Sequence, residues 1–467
     1  MSSLAKRAAT LSRVLAKLFG WTFAALLVAI AIWFAANRLF DAPPSALHDP
    51  LLVSPNDRIP DAENIATGLL GLTAPPKSDI LVYGAKIKAL YASNAPYAQI
   101  NELMQGPGTL QPTIKSGQAN CWLDPDWTQF EGCLPFQQAP EVLAANQELL
   151  ERLNSLYGLE KHVALDIYSY SDAFLTVLRL SVADIQVALR RGEHEAAYRK
   201  WRDLLTFIKR RNRGTDTWVG KAIGLVAMGM TLPALESLLM AHPDTARVHA
   251  AELNELLRPE GVAAYDPDGI VRAEFAMLRD ALEYLPPNAW EQDRLHWLAF
   301  YLGQKNRILN RYASLAPKYA AALRLPWFES RKQLDRLRQD YLYPSDSEFL
   351  LDPFGSLFVT NYINGQLKVR EMVRQMHILD ARLRLATLLV RYINERIPDS
   401  GVPHFLAIAE PELRDPFSGE PMRWDPKDRK IYFPDPDEKC IVGAWFRLPD
   451  LNQPARLTPS TVSTGAC

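Results

Sequence analysis

Between Leu18 and Ala36 the chain reads LFGWTFAALLVAIAIWFAA, nineteen residues without a charged side chain. As a helix rising about 1.5 Å per residue, this run is roughly 28 Å long, close to the hydrocarbon thickness of a bilayer. Lys6, Arg7, Arg13 and Lys17 precede it, and the first acidic residue is Asp41. The positive-inside rule then puts the first seventeen residues in the cytoplasm and everything after about Asn37 on the other side. A cleaved signal peptide is the competing reading, but its apolar region would be unusually long and no small-x-small site follows closely. Both readings make the bulk of the chain extracytoplasmic.

That compartment bears on the cysteines, of which the chain has four. Cys121 and Cys133 bound the stretch CWLDPDWTQFEGC. A bridge between them closes a loop of about a dozen residues and is worth roughly 3 kcal/mol in the chain-entropy model. Asp124-Pro125-Asp126 reads as a turn inside the loop, and Trp122 and Trp127 are placed to pack over the bridge. A redox pair needs two intervening residues rather than eleven, and zinc wants a second ligand pair. Cys440 and Cys467 form a second prospective pair, although four cysteines allow three connectivities and the sequence leaves them open.

Prolines 43, 44, 50, 55 and 60 mark a stiff spacer after the apolar run. Helices are expected over 62–72 and 80–92, and an irregular stretch over 105–139. From Pro140 to about Ile397 the apolar period is helical. One face of EHEAAYRKWRDLLTFI carries Ala197, Trp201, Leu204, Leu205 and Ile208. Val369, Met372, Met376, Leu379, Leu383, Ala386, Val390, Ile393 and Ile397 recur at spacings of three and four. Leu385, Leu388, Leu389 and Tyr392 widen this stripe beyond a two-stranded seam, which predicts a bundle helix. Past Pro398 two short strands are expected at 422–424 and 430–433, around the turn DPKDR. The expected fold is mainly α, with one N-terminal transmembrane helix, a large helical hairpin or bundle domain and a small C-terminal β-hairpin module. Its parts are a stub (1–17), a signal-anchor (18–37), a spacer (38–60), the helical domain (61–400) and the hairpin module with a loose tail (401–467).

Nucleophile elbow, Walker loop, zincin and dinucleotide motifs are all missing from the sequence. Net charge of −1 argues against a dedicated nucleic-acid partner. Asp435, Asp437 and Glu438 are the best calcium candidates among three D-P-D triplets. None of the triplets opens a twelve-residue ligand loop, and proline between the acids favours a turn. Lys209, Arg210, Arg211 and Arg213 are the one dense basic cluster. The structural reading is a cationic helix C-terminus closed by Gly214. The functional reading is an anion site for lipid headgroups or envelope glycans. No cofactor is expected.

Asp415-Pro416-Phe417-Ser418-Gly419-Glu420-Pro421 reads as a turn. Asp415 caps it, Pro416 presets its backbone, Phe417 anchors it, and Gly419 takes a positive φ. Pro421 then enters the first strand at an edge. With the long helix before it and the hairpin after it, this DPF[ST]G-x-P motif resembles a C-terminal module of uncharacterised proteobacterial single-pass envelope proteins, a group without an established activity. GLLGLTAPPKSD and GTDTWVGKAIG also look like segments of such proteins. The resemblance implies a bacterial inner-membrane protein with its N-terminus cytoplasmic and its bulk periplasmic. The apolar run puts residues 18–37 in the lipid bilayer, and the helical texture, the anchor and the missing catalytic motifs together point to a non-catalytic helical scaffold that binds a protein partner of the envelope. A membrane-tethered hydrolase of envelope polymers is the alternative. A pseudopilin-like assembly component is another, although here the apolar run stands more than three hundred residues before the long helix.

Overall fold

The computed structural model describes residues 17–33, 35, 41–52, 59–93, 95, 97–115, 118, 122, 134–164, 171–283, 303–342, 369–433 and 445–451. The fold is mainly helical, with a small three-stranded antiparallel sheet near the C-terminus. The helices that carry the argument are α1 (Lys17–Trp33), α2 (Ile65–Leu70), α3 (Ile80–Ala92), α4 (Ser171–Arg190), α5 (His194–Arg213), α6 (Trp218–Ala241), α7 (Asp244–Val248), α8 (Ala250–Leu256), α9 (Lys305–Leu323), α10 (Trp327–Leu342) and α11 (Val369–Glu395). The strands are β1 (Arg423–Asp425), β2 (Lys430–Tyr432) and β3 (Trp445–Arg447). Contacts divide the chain into one unit of residues 1–50, 278–315 and 338–365 and a second of 51–277, 316–337 and 366–467.

In the first unit α1 exposes its apolar side chains, among them Phe19, Trp21 and Ile32. Its described length is below that of a full span. The helix among the described residues that is long and apolar enough to cross a membrane is α6, in the second unit, and most of it is buried there. The proline-rich stretch is tied down at its start. Asp41 accepts backbone N–H bonds from Asn306 (2.8 Å) and Arg307 (3.2 Å) in the first turn of α9. Asn310 bonds Ser45 N and Pro43 O.

The second unit is built around α4, α5, α6 and α11. Gly192, at φ 78°, ends α4 in a Schellman turn: its N–H reaches Leu189 O and that of Glu193 reaches Ala188 O. The turn sends α5 back along α4. The expected apolar face of α5 is buried, with Trp201 and Leu205 fully enclosed, and Trp201 Nε1 donates to Thr231 O of α6 at 3.1 Å. From Ala381 to Ile393, α11 buries residues nearly all round, which suits a helix with α6, α7 and α8 against it. Met372, expected in that buried stripe, is only half-buried. Trp122 packs with Leu143, Leu180 and Val187 and donates Nε1–H to Leu134 O (2.8 Å).

The hairpin expected near the C-terminus has a third strand. Trp424 pairs with Ile431, and Ile431 with Phe446. Arg447 N donates to Glu236 of α6 at 2.9 Å, which fastens β3 to the helical body. The DPFSG turn seats Phe417 against Trp327 of α10, His377 of α11 and Phe433, with ring centroids 5.6–6.1 Å away.

Candidate functional site

GTDTWVGKAIG (214–224) joins α5 to α6 and holds the most heavily charged interior among the described residues. Arg211, in the last turn of α5, points inward, and its Nη2 donates to Asp216 Oδ2 (3.0 Å) and to Gly220 O (2.9 Å). Lys221, in the first turn of α6, donates to Asn212 O (2.6 Å) and to Gly214 O. A cation thus satisfies carbonyls that the end of α5 leaves open. Thr217 caps α6 by accepting from Gly220 N at 3.2 Å. His162 Nε2 lies 3.0 Å from Asp216 Oδ2. Its strand-like segment is held on both sides, with Ile65 N donating to Lys161 O and Ala164 N donating to Thr215 O. Asn64 adds bonds to both the N–H and the C=O of Val163.

Glycine makes room for this cluster. A Cβ on Gly220 would fall 1.8 Å from Asp216 Oδ1, and one on Gly224 would fall 1.8 Å from Asn212 Oδ1. Burial pushes the Asp216 carboxyl up, but the His162 hydrogen bond and the charges of Arg211 and Lys221 outweigh it and hold the carboxyl below its ordinary value. Burial draws Lys221 down to about 8 against the attraction of Asp216 and Asp266. Burial also draws His162 below its usual value, against its bond to Asp216. The neutral ring therefore donates Nε2–H to Asp216, and Nδ1 has no hydrogen-bond partner among the described residues. A carboxylate-oriented imidazole is the arrangement of a general base. Here all four side chains are at most about 2% exposed, so substrate has no access. The cluster is a clamp on three distant stretches of chain.

A second feature lies further along α6. Ala222, Leu225, Val226 and Gly229 form one wall of an open groove of about 630 Å³, and Glu371, Met372, Gln375, Ile378, Leu379 and Arg382 of α11 form the other. The described lining is mostly apolar, with charges at Glu371, which pairs with Arg374 at 3.1 Å, and at Arg382. Its size and character are those of ligand-binding clefts.

The four clustered cations diverge because successive helical residues are about 100° apart. Lys209 and Arg213, one turn apart, both meet Glu260. Arg210 donates to Tyr157 O at 2.8 Å, and Arg211 is enclosed with Asp216. Asp415 accepts from Phe417 N at 2.9 Å and from the Ser418 hydroxyl, and Gly419 takes φ 74°. Pro416 follows Asp415 inside this turn, and Pro421 stands two residues before β1. Cys121, Cys133, Cys440, Cys467, Asp435, Asp437 and Glu438 lie outside the described residues. His194 and His242 stack face to face at 4.3 Å, which aims their ring nitrogens away from a shared point. Among the described residues no group of three acids, histidines or cysteines is placed to hold a metal ion.

His162 carries no local signal, and Asp216 and Lys221 are marked only by lying in GTDTWVGKAIG, whose glycines at 220 and 224 fall inside α6, where a helix tolerates them poorly. No family model, curated protein or solved structure matches the chain.

Proposed function

We propose that this chain is a membrane-anchored protein of the bacterial envelope whose helical body binds a protein partner and catalyses no reaction. The observation that carries the reading is the mostly apolar groove of about 630 Å³ between α6 and α11, open on a body that pairs Lys209 with Glu260 and Arg211 with Asp216 inside the fold. Anchoring is supported by the uncharged run from Leu18 to Ala36 and the four cations before it. Kinship with single-pass envelope proteins is part of the same proposal and rests on DPFSGEP and the helix before it.

The test is crosslinking of the full-length protein in its native membrane, recovery, and mass-spectrometric identification of companions, with residues 1–60 alone as control. The expected result is a reproducible envelope protein that the control fails to retain. Absence of any companion above background, together with degradation of an envelope polymer by residues 42–467, overturns the reading in favour of a hydrolase.

A further inference from the structure

We infer that the start of α9 lies on the phospholipid headgroups of the leaflet from which the chain emerges, clasped there by residues 41–45, with Arg307 against lipid phosphate. The inference rests on the membrane-anchor part of the reading above and concerns the first unit alone.

The clasp is the first observation. Asp41 accepts from the backbone N–H groups of Asn306 and Arg307, so it caps α9 from 265 residues away. One turn on, Asn310 grips the backbone on both sides of Pro44. Its Oδ1 accepts from Ser45 N at 2.8 Å, and its Nδ2 donates to Pro43 O at 2.9 Å. The prolines at 43 and 44 fix φ between the two grips and so reduce the freedom this stretch must lose on docking. A spacer that lifts a body off a membrane has no use for such bonds at its very start.

Reach is the second. The side chains described along α1 are all exposed, so the body offers that apolar helix no seat of its own. The uncharged run ends at Ala36, and Asp41 follows five residues later. Fully extended, five residues cover at most about 18 Å. The headgroup layer on one side of a bilayer takes up roughly 6 Å of that distance. Asp41 therefore stands within about 12 Å of the headgroups at full stretch, and any less extended chain brings it closer. The helix end bonded to Asp41 is carried to the same height.

Charge names the surface. From Lys305 to Leu315, α9 carries Lys305, Arg307 and Arg311 and no acid. Lys305 and Arg307 stand in the first turn, where the helix dipole disfavours cations. Asp41 offsets part of that cost. Lys305 and Arg311 have partners within the chain, so neither is offered to the lipid. Arg307 is half-buried and meets no carboxylate among the described residues. A guanidinium without a counter-ion, held at headgroup height, suits a phosphate oxygen, and a leaflet containing anionic lipid attracts it further.

The experiment reconstitutes the full-length protein in vesicles of phosphatidylethanolamine and phosphatidylglycerol. A coumarin amino acid is placed at Asn306 or, in a second sample, at Asn37 next to the apolar run. A nitroxide carried on the lipid headgroup quenches whichever probe lies close to it. The expected result is quenching at Asn306 within about twofold of that at Asn37. Asp41→Ala combined with Asn310→Ala should lower quenching at Asn306 about threefold and leave Asn37 unchanged. Should that variant lose its helical circular dichroism, Arg307→Gln takes its place. In the unsubstituted protein a nitroxide on phosphatidylglycerol should quench Asn306 about twice as strongly as one on phosphatidylcholine, and the glutamine should erase the difference. An unquenched Asn306 beside a quenched Asn37 overturns the inference and leaves the anchor standing. Quenching that a folded clasp variant leaves unchanged, or that is equal for the two labelled lipids, overturns it as well. Quenching at neither position overturns the anchor along with it.

Discussion

The two halves of α6 use the same residue types for opposite ends. From Trp218 to Gly224 the helix has an enclosed face, where Lys221 is buried among carbonyls and Gly220 and Gly224 exist because Asp216 and Asn212 fill the space a side chain would need. From Leu225 to Met230 the outward positions are open, and Gly229 has room for a methyl group that it lacks. The first glycines are explained by close contacts of the fold, and among the described residues the last has none. Steric accounting at each Cβ separates the two cases where sequence shows only repeated glycine.

The largest expected effect lies in the enclosed half. Asp216→Ala leaves Arg211 and Lys221 buried without their carboxylate, and removing one partner of a buried ion pair typically costs about 3–5 kcal/mol. Urea denaturation of wild type and variant measures it. A loss below about 1 kcal/mol would show that the cluster is not what fixes α5 to α6, and the contrast between the halves would collapse.

Next comes acid. His377, in its aromatic seat beside Trp327 and Phe417, has its pKa drawn from 6.5 to about 4 by burial and by the Arg384 charge. The unfolded chain therefore binds this proton more readily than the folded one. The stability involved is complete above about pH 6.5 and falls away toward pH 4, a loss of roughly 3 kcal/mol. His162 acts in the same direction. His377→Phe removes only the first of these contributions, so its stability should decline less steeply over that window in denaturation series at successive pH. Parallel curves for wild type and variant would remove His377 from the account.

Much of the helical body was legible in the sequence, for physical reasons that differ by element. Helix α3 runs from Ile80 to Ala92 as the apolar pattern predicts, because Asp79 caps it with bonds to Leu81 N and Val82 N. The buried face of α5 and the extent of α11 follow the 3.6-residue period. What stayed hidden depends on contacts across the sequence. Strand β3 is three residues long and twelve residues (433–444) separate it from β2, too far for a tight-hairpin signal to announce the pairing. Arg211 reads as one cation of a basic helix end and Lys221 carries no signal, since nothing local says that Asp216 and two helix-end carbonyls wait for them. His162 meets Asp216 from 54 residues away. The groove itself has no signal in the sequence: Met372 belongs to the apolar stripe of α11, yet it is only half-buried and lines the groove with residues of α6 about 150 positions earlier.

A smaller effect tests how firmly the C-terminal turn is tied to this body. Asp415→Ala deprives Phe417 N and the Ser418 hydroxyl of their acceptor, and Asp415 is 1% exposed, so water replaces it poorly. The expected loss is about 1–2 kcal/mol by thermal or urea denaturation, typical of a lost side-chain cap. An unchanged midpoint would mean that Phe417 in its aromatic pocket holds the turn without help from the carboxylate.

The smallest effect is the most discriminating, because it should have the opposite sign. Gly220→Ala would press a methyl group into Asp216 and lower stability by about 1–3 kcal/mol, as overpacking does. Gly229→Ala, nine residues on in the same helix, adds a methyl group at ordinary contact distance from Arg382 and removes backbone freedom from the unfolded chain. It should raise stability by about 0.5–1 kcal/mol. Paired thermal melts of the isolated full-length variants read both signs. If both alanines destabilise, Gly229 also serves the fold and α6 is uniform along its length. If they diverge, close packing requires glycine at 220 and not at 229, and the two halves of α6 differ as their contacts imply.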